Sequence, residues 1–249
     1  MSDDNAFYCP KAPHVGNTAI PAFYGSHAEG ASTKAIQRCT HAEGRNTLAD
    51  IRYSHAEGSD TYAAEMYSHA EGNTTKALGR ASHSEGNNTT AKGENSHAEG
   101  TNTTAFGVES HAEGSSTNAL SDASHAEGFA TYANKYAHAE GEQTSALGMD
   151  SHAEGRLTLA SASGAHAEGQ SSVASGNYSH AEGNWTQALS EYSHAEGIST
   201  VVSGLWSHAE GYQTSAFGNY SHAEGGLTLA GKVKSGSTAA TYSTHAEGY

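Results

Sequence analysis

Small and polar residues alternate along most of the chain, in a block that returns about every 14 residues. The tetrapeptide His-Ala-Glu-Gly begins at His27 and recurs to the end of the chain, and His83 opens the single variant, His-Ser-Glu-Gly. The His residues that open successive copies are 14 apart, except for 13 between His125 and His138 and 23 between His222 and His245. Such fixed-period self-similarity is the signature of a repeat architecture.

The complete unit is H-A-E-G-x-x-T-x-A-x-x-x-x-S, numbered here from the His as positions 1 to 14. Its alternation has the period of a β-strand, and it contains no apolar seam of the coiled-coil kind. Each unit therefore predicts one coil of an all-β parallel solenoid, with a short strand, a glycine turn, a second strand and another turn. Sixteen coils stacked about 4.8 Å apart would extend for roughly 75 Å.

The domain organisation follows from where the repeat is regular. All three prolines lie before the array, so residues 1–23 predict an N-terminal cap over the open end of the sheets. Residues 24–249 predict the repeat domain, with an irregular insertion at 232–244.

The interior of a two-strand coil has room only for small side chains. Ser at position 14, Ala at positions 2 and 9, and Thr at position 7 are therefore placed inward, although the sequence leaves open whether the Thr column faces in or out. An outward column would be a candidate surface-binding array. Its members are Thr33, Thr47, Thr61, Thr75, Thr89, Thr103, Thr117, Thr131, Thr144, Thr158, Thr186, Thr200, Thr214 and Thr228.

Positions 8 and 10 then face outward, and in 14 of 15 units one of them is a large apolar residue, as in Lys34/Ile36 and Thr104/Phe106. This pattern predicts a groove that packs against a partner chain; the alternative is a mildly apolar solvent face. Aromatic residues recur at position 13, where we expect stacking between coils, or else the rim of a binding face. They are Tyr53, Tyr67, Tyr178, Tyr192, Trp206 and Tyr220.

Positions 1 and 3 predict a column of His beside a column of Glu on one face. Neighbouring carboxylates at this spacing repel by about 3–4 kcal/mol at an effective dielectric of 20, so we expect a His–Glu network or screening by water. The ladder residues are His27, Glu29, His41, Glu43, His55, Glu57, His69, Glu71, His83, Glu85, His97, Glu99, His111, Glu113, His125, Glu127, His138, Glu140, His152, Glu154, His166, Glu168, His180, Glu182, His194, Glu196, His208, Glu210, His222, Glu224, His245 and Glu247.

Three functional interpretations of the ladder compete with this structural one. His and Glu are metal ligands, but metal sites are usually singular and this motif is repeated, so no metal and no cofactor are expected. A catalytic pair is disfavoured because no unit stands out. A pH switch requires contact with Glu to raise the His pKa; the resulting stabilisation would be lost as the pH rises through the folded pKa.

Composition narrows the function classes. The formal net charge is −15 over 249 residues, which argues against binding nucleic acid through phosphates. Neither a membrane span nor a secretory signal is recognisable, so the sequence suggests a cytoplasmic protein or one exported by a route that it does not show. Cys9 and Cys39 are the only cysteines; two free thiols are favoured over a disulfide between them.

The unit S-H-A-E-G-x-x-T-x-A-x-G resembles the 14-residue repeat of trimeric autotransporter adhesin heads, S-V-A-I-G-x-x-S-x-A-x-G, over residues 24–248, and also segments of phage tail-fibre proteins. The resemblance implies a left-handed parallel β-roll, a side-by-side homotrimer and a non-enzymatic role in binding a cell-surface ligand. His and Glu stand where that family has Val and Ile, which would place the ladder at the trimer interface.

The recurring T-x-A is also similar to motifs of antifreeze proteins and of bacterial proteins that bind gas clathrates. That similarity implies contact with an ordered-water lattice, such as ice or a clathrate. Because no signal, stalk or anchor accompanies the repeats, this function is favoured here, with the receptor-binding head as the alternative. The expected partners are further copies of the chain and either such a lattice or a cell-surface ligand, with no nucleic acid and no membrane.

Overall fold

The computed structural model describes residues 20–21, 25–231 and 243–248, and within these ranges all regular structure is β-strand. No helix that is long and apolar enough to cross a membrane occurs among them. Most of the predicted cap (1–23) and of the predicted insertion (232–244) lies outside the described residues, as does Cys9, so those domain bounds stay predictions. Cys39 is an exposed free thiol.

The chain divides into two compact units, Met1–Asp122 and Ala123–Tyr249. In the first unit, the first strands of the coils are β2 (His27–Ala31), β4 (His41–Arg45), β6 (His55–Ser59), β8 (His69–Asn73), β10 (His83–Asn87), β12 (His97–Thr101) and β14 (His111–Ser115). The second strands of that unit, with a leading strand β1, are β1 (Ile20–Pro21), β3 (Lys34–Ala35), β5 (Leu48–Ala49), β7 (Tyr62–Ala63), β9 (Lys76–Ala77), β11 (Thr90–Ala91), β13 (Thr104–Ala105) and β15 (Asn118–Ala119).

The second unit repeats this plan. Its first strands are β16 (His125–Phe129), β18 (His138–Glu142), β20 (His152–Arg156), β22 (His166–Gln170), β24 (His180–Asn184), β26 (His194–Ile198), β28 (His208–Tyr212), β30 (His222–Gly226) and β32 (His245–Glu247). Its second strands are β17 (Tyr132–Ala133), β19 (Ser145–Ala146), β21 (Leu159–Ala160), β23 (Val173–Ala174), β25 (Gln187–Ala188), β27 (Val201–Val202), β29 (Ser215–Ala216) and β31 (Leu229–Ala230).

Within each compact unit, each first strand pairs in parallel with the first strand of the next coil, and second strands pair likewise, so every position of the repeat lies beside its own counterpart. The irregular spacings do not break this register, because His125 pairs with His138 and His222 pairs with His245. The prediction of an all-β parallel solenoid is confirmed. Its left-handedness and its trimeric state stay predictions.

The interior of each coil holds the small side chains that the alternation places there. Ala at positions 2 and 9 is fully buried in nearly every coil, and so is the residue before the His, usually Ser, in nearly every coil. In several coils this Ser closes the turn by donating its hydroxyl to a backbone carbonyl, as Ser96 does to the oxygen of Gly93 at 2.7 Å. The inward placement of these residues is confirmed.

The glycine of His-Ala-Glu-Gly is required by its backbone conformation and by its close neighbour in the next coil. Gly100 has a φ of +107°, which L side chains rarely adopt, and a Cβ built there would overlap the carbonyl oxygen of Gly114. The same overlap recurs along the column, so the glycines let the first strands stack at β-sheet distance.

Candidate functional site

The predicted histidine ladder is present in both units. The imidazole rings of neighbouring coils lie with centroids 4.6 to 5.1 Å apart. From His55 to His111 the successive ring planes are tilted by 8° or less, whereas His138 and His152 meet nearly edge to face at 79°. The parallel register of the first strands produces this column, because each His lies directly beside the next.

Each Glu lies beside the His of its own strand. The distance from His Nε2 to Glu Oε2 ranges from 3.4 Å at His83 to 4.0 Å at His111 in fourteen of the strands, and the Glu side chains are about half exposed. The shortest contact among the described ladder pairs is at His245, with Nε2 2.9 Å from Oε1 of Glu247. Within a chain the His–Glu network thus consists mainly of long ion-pair contacts, and the exposed carboxylates are open to screening by water.

The buried ring nitrogens of the ladder are a distinctive feature. Many Nε2 atoms are buried without a hydrogen-bond partner, although their rings are about one-third exposed. They belong to His41, His55, His69, His83, His97, His138, His166, His180, His194, His208 and His222. An unsatisfied buried nitrogen is costly in a native protein and calls for an explanation.

The environment favours the neutral imidazole. Burial lowers the pKa below the ordinary value of 6.5, and charge repulsion from neighbouring His residues lowers it further, while Glu partly offsets both effects. The residues so affected are His55, His69, His83, His111, His138, His166, His180 and His208. A pH switch that depends on a raised His pKa is therefore wrong in sign.

Four groups of ladder residues place three ligand atoms within 4.8 Å of one another. They are His83–Glu85–His97, His97–Glu99–His111, His180–Glu182–His194 and Glu196–His208–Glu210. Among the residues that the structure describes, these four groups, two in each unit, have the donors and the spacing to hold a metal ion.

The threonine column lies inside the coils and not on a surface. Thirteen of its fourteen members are at most 1% exposed, so their hydroxyls cannot contact a lattice or any other external ligand. The candidates excluded by this burial are Thr33, Thr47, Thr61, Thr75, Thr89, Thr103, Thr117, Thr131, Thr144, Thr158, Thr186, Thr200 and Thr214. Thr228, near the end of the second unit, is half-buried.

The outward face of the second strands is apolar and partly exposed. Phe106 and Leu120 in the first unit, and Leu147 and Leu189 in the second, are each about 40% exposed. The one repeat without a large apolar residue at positions 8 and 10 contributes Lys92 instead. The ammonium of Lys92 lies 4.0 Å from the centroid of the Phe106 ring. Sequence reasoning missed this contact, because it joins positions 10 of two successive coils.

Stacking of the aromatic residues at position 13 is confirmed. Tyr53 and Tyr67 stack at 5.2 Å, and Tyr178, Tyr192, Trp206 and Tyr220 form a four-ring stack with centroids 5.2 to 5.8 Å apart. These rings are about half exposed and have positive φ, for example 54° at Tyr192. Bulky residues are uncommon in this conformation, so the backbone gains nothing from an aromatic side chain there.

The opposite turn of the second unit carries an apolar edge that sequence reasoning did not identify. Trp185, Ile198, Tyr212 and Leu227 are half exposed or more, and Ile198 pairs directly with Tyr212 between neighbouring strands. They occupy positions 5 and 6, which vary along the chain. Clustering of large apolar residues at these two positions between 185 and 227 was the available signal.

Comparison with protein families agrees with this architecture. Residues 84–110, 98–117, 167–184 and 195–225 match the family model of the YadA head domain repeat. No curated protein matches the chain at a significant level. The matched stretches lie in both units and include ladder strands, turns and second strands. The chain therefore carries β-roll repeats of the kind found in trimeric autotransporter adhesin heads.

Proposed function

We propose that the chain is a non-enzymatic, adhesin-like head that binds an extended ligand on a cell surface. The observation that carries this proposal is the match of both units to the YadA head domain repeat. It favours the alternative of the sequence analysis over contact with ordered water. The regular backbone repeats one scaffold, and the variable turn positions supply the side chains that meet the ligand.

The ordered-water function loses its structural basis because the threonine hydroxyls are buried. A lattice-matching surface needs one kind of side chain at a constant spacing, and the outward positions do not provide it. Position 8, for example, is Lys34, Leu48 and Tyr62 in three successive coils.

The aromatic stack from Tyr178 to Tyr220 is the proposed ligand-contact surface of the second unit. Exposed apolar patches of this kind mark interaction sites, and aromatic residues are enriched in protein interfaces. The positive φ of these residues supports the assignment, since Asn would suit the backbone better, as it does at Asn95 in the same column.

The chain is further proposed to form a side-by-side homotrimer of left-handed rolls through the outward face of its second strands. Packing against a neighbouring copy would cover apolar side chains such as Phe106, Leu120 and Leu189. Light scattering of the intact chain should give a trimer, and replacing Phe106 and Leu120 by Lys should shift it toward the monomer. A monomeric parent protein would refute this part of the proposal.

The binding function is tested with fluorescently labelled full-length chain and a panel of intact cells, with serum albumin as the reference protein. The triple variant Tyr178→Asn, Tyr192→Asn, Trp206→Asn should lose binding while keeping its circular dichroism spectrum. The matched control, Tyr53→Asn with Tyr67→Asn, removes the corresponding stack from the first unit and should retain binding to the cells.

Two results would overturn the proposal. Binding no stronger than that of albumin on every cell type would contradict the adhesive function. Altered growth of ice or of tetrahydrofuran clathrate, in parallel assays with the same protein, would restore the ordered-water function instead. Equal binding by both aromatic variants would show that the ligand contacts another surface.

A further inference from the structure

We propose that the ladder binds divalent transition-metal ions of the zinc class, each held by three imidazole and carboxylate donors from neighbouring coils. The inference goes beyond the proposed adhesive function and is independent of it, because every donor belongs to one chain. It also departs from the sequence-based expectation that a repeated motif does not bind metal.

The donor geometry is close to that of a zinc site. Zinc bonds to His nitrogen and Glu oxygen at about 2.0–2.2 Å, which places tetrahedral ligands about 3.4 Å apart. Nε2 of His83 and Oε2 of Glu85 are already 3.4 Å apart, and the third donor, from His97, lies within 4.8 Å. Closing that gap requires the donor atoms to move together by at most about 1.4 Å, and these partly exposed side chains have room for it.

Ring nitrogens without a hydrogen-bond partner also support a metal site. Nε2 of His83, His97, His180 and His194 is buried and has no hydrogen-bond partner. In the tautomer that carries its proton on Nδ1, Nε2 is a buried acceptor facing a carboxylate, and a cation between the two groups would satisfy both. A bound metal ion would thus supply the partner that these Nε2 atoms lack.

The chemistry of the donors selects the class of metal. Imidazole suits Zn²⁺, Ni²⁺ and Cu²⁺, whereas Ca²⁺ and Mg²⁺ require mainly oxygen ligands. Metal binding requires the neutral imidazole. The carboxylate supplies the negative charge that partly neutralises the ion.

Sharing of ligands limits how many ions the ladder can hold. In the first unit both groups use His97, and a single Nε2 serves one ion, so the pair accommodates one ion at a time. In the second unit the groups His180–Glu182–His194 and Glu196–His208–Glu210 share no residue, so both can be filled. These four groups therefore predict three ions per chain.

The test uses the full-length chain after treatment with EDTA. Equilibrium dialysis at micromolar free Zn²⁺ should give three bound ions per chain, and Ca²⁺ at the same concentration should give none. Anomalous scattering at the zinc edge, from crystals equilibrated with Zn²⁺, should place the ions between ladder residues and bonded to Nε2.

Two variants of equal charge and size separate the ladder from histidine content. His97→Gln removes the ligand shared by both groups of the first unit and should lose one ion. His245→Gln removes a ladder histidine that is already paired with Glu247, and should retain all three. If His97→Gln alters the fold, the double variant Glu85→Gln with Glu99→Gln tests the same two groups through their carboxylates and should also lose one ion.

The proposal is overturned if dialysis shows no bound zinc, or if Ca²⁺ binds as well as Zn²⁺, since generic acidity would then account for the binding. Equal loss in His97→Gln and His245→Gln would also overturn it, because any histidine would then serve. The proposal is also overturned if the zinc ions are found only at carboxylates outside the ladder.

Discussion

The buried threonine column gives a prediction that separates two coils of nearly identical sequence. In twelve of the fourteen coils with Thr at position 7, its hydroxyl has no hydrogen-bond partner, and Thr103 is one of these. Thr89 differs because Ser84, the one Ser at position 2, lies 2.8 Å from it, oxygen to oxygen. The same substitution at Thr103 and at Thr89 should therefore have opposite effects on stability.

Replacement by Val keeps the shape and β-branching of Thr and removes only the hydroxyl. At Thr103 it deletes a fully buried, unpartnered group, which costs about 1–3 kcal/mol to bury, so Thr103→Val should stabilise the chain by about 1 kcal/mol or more. At Thr89 it leaves the buried hydroxyl of Ser84 without its partner, and Thr89→Val should destabilise by about 1–3 kcal/mol.

Urea unfolding of the full-length variants, followed by circular dichroism, measures the two shifts. The double variant Ser84→Ala with Thr89→Val removes both hydroxyls and should recover most of the loss. Conversely, Ala98→Ser supplies Thr103 with the partner that Thr89 already has. Equal destabilisation by Thr103→Val and Thr89→Val would refute the reasoning, since Thr103 would then have a partner comparable to Ser84.

Three further predictions address the turn, the ladder and the aromatic stack. Gly100→Ala should destabilise by about 3 kcal/mol or more, through positive φ and overlap with the next strand, whereas Thr101→Ala, on the exposed position beside it, should change urea unfolding little. In EDTA, stability should rise with pH between about 5 and 8, by about 1.36 kcal/mol per pH unit for each extra proton bound by the unfolded chain. This stabilisation is fully present above the ordinary pKa of His and is lost as the pH falls through the lowered pKa values of the folded chain. A profile of urea unfolding against pH that is flat or falls would contradict this sign. Trp206→Asn should lose about 0.5–1.5 kcal/mol of stacking and regain part of it from a less strained backbone, leaving the urea midpoint nearly unchanged.

The parts of the fold that the sequence predicts are those fixed by one coil and its stacking. Alternating small residues, the glycine at position 4 and the absence of proline from the regular coils determine the strands, their register and the buried positions. Ala98 and Ser96 could be placed inside because nothing larger fits there. The ladder follows directly, since a parallel register places each His beside the next.

The pKa shifts of the ladder and the apolar edge at the turns could not be predicted in this way. Both depend on contacts between residues about 14 apart in the sequence, and some of these contacts act in opposite directions. Glu raises the His pKa, while burial of the ring and the neighbouring imidazole lower it, so the sign for His83 needs the actual ring geometry. The apolar edge at Trp185 and Tyr212 likewise needs the turns to be placed in three dimensions. Pattern reasoning assigns a face to each position, but it does not weigh competing interactions on that face.

Different positions of the 14-residue repeat are under different constraints, which explains how one motif can combine a constant scaffold with a variable surface. Positions 2, 4, 7, 9 and 14 are constrained by the narrow interior, whose largest fully buried side chain is only Val202. Positions 5, 6, 8, 10 and 13 face outward, so their side chains can change from coil to coil without disturbing the ladders of backbone hydrogen bonds. Positions 1 and 3 also face outward, yet they are nearly invariant along this chain. Packing in the interior therefore cannot account for their uniformity, whereas the proposed metal binding would, as would the trimer interface that the family resemblance implies for the ladder.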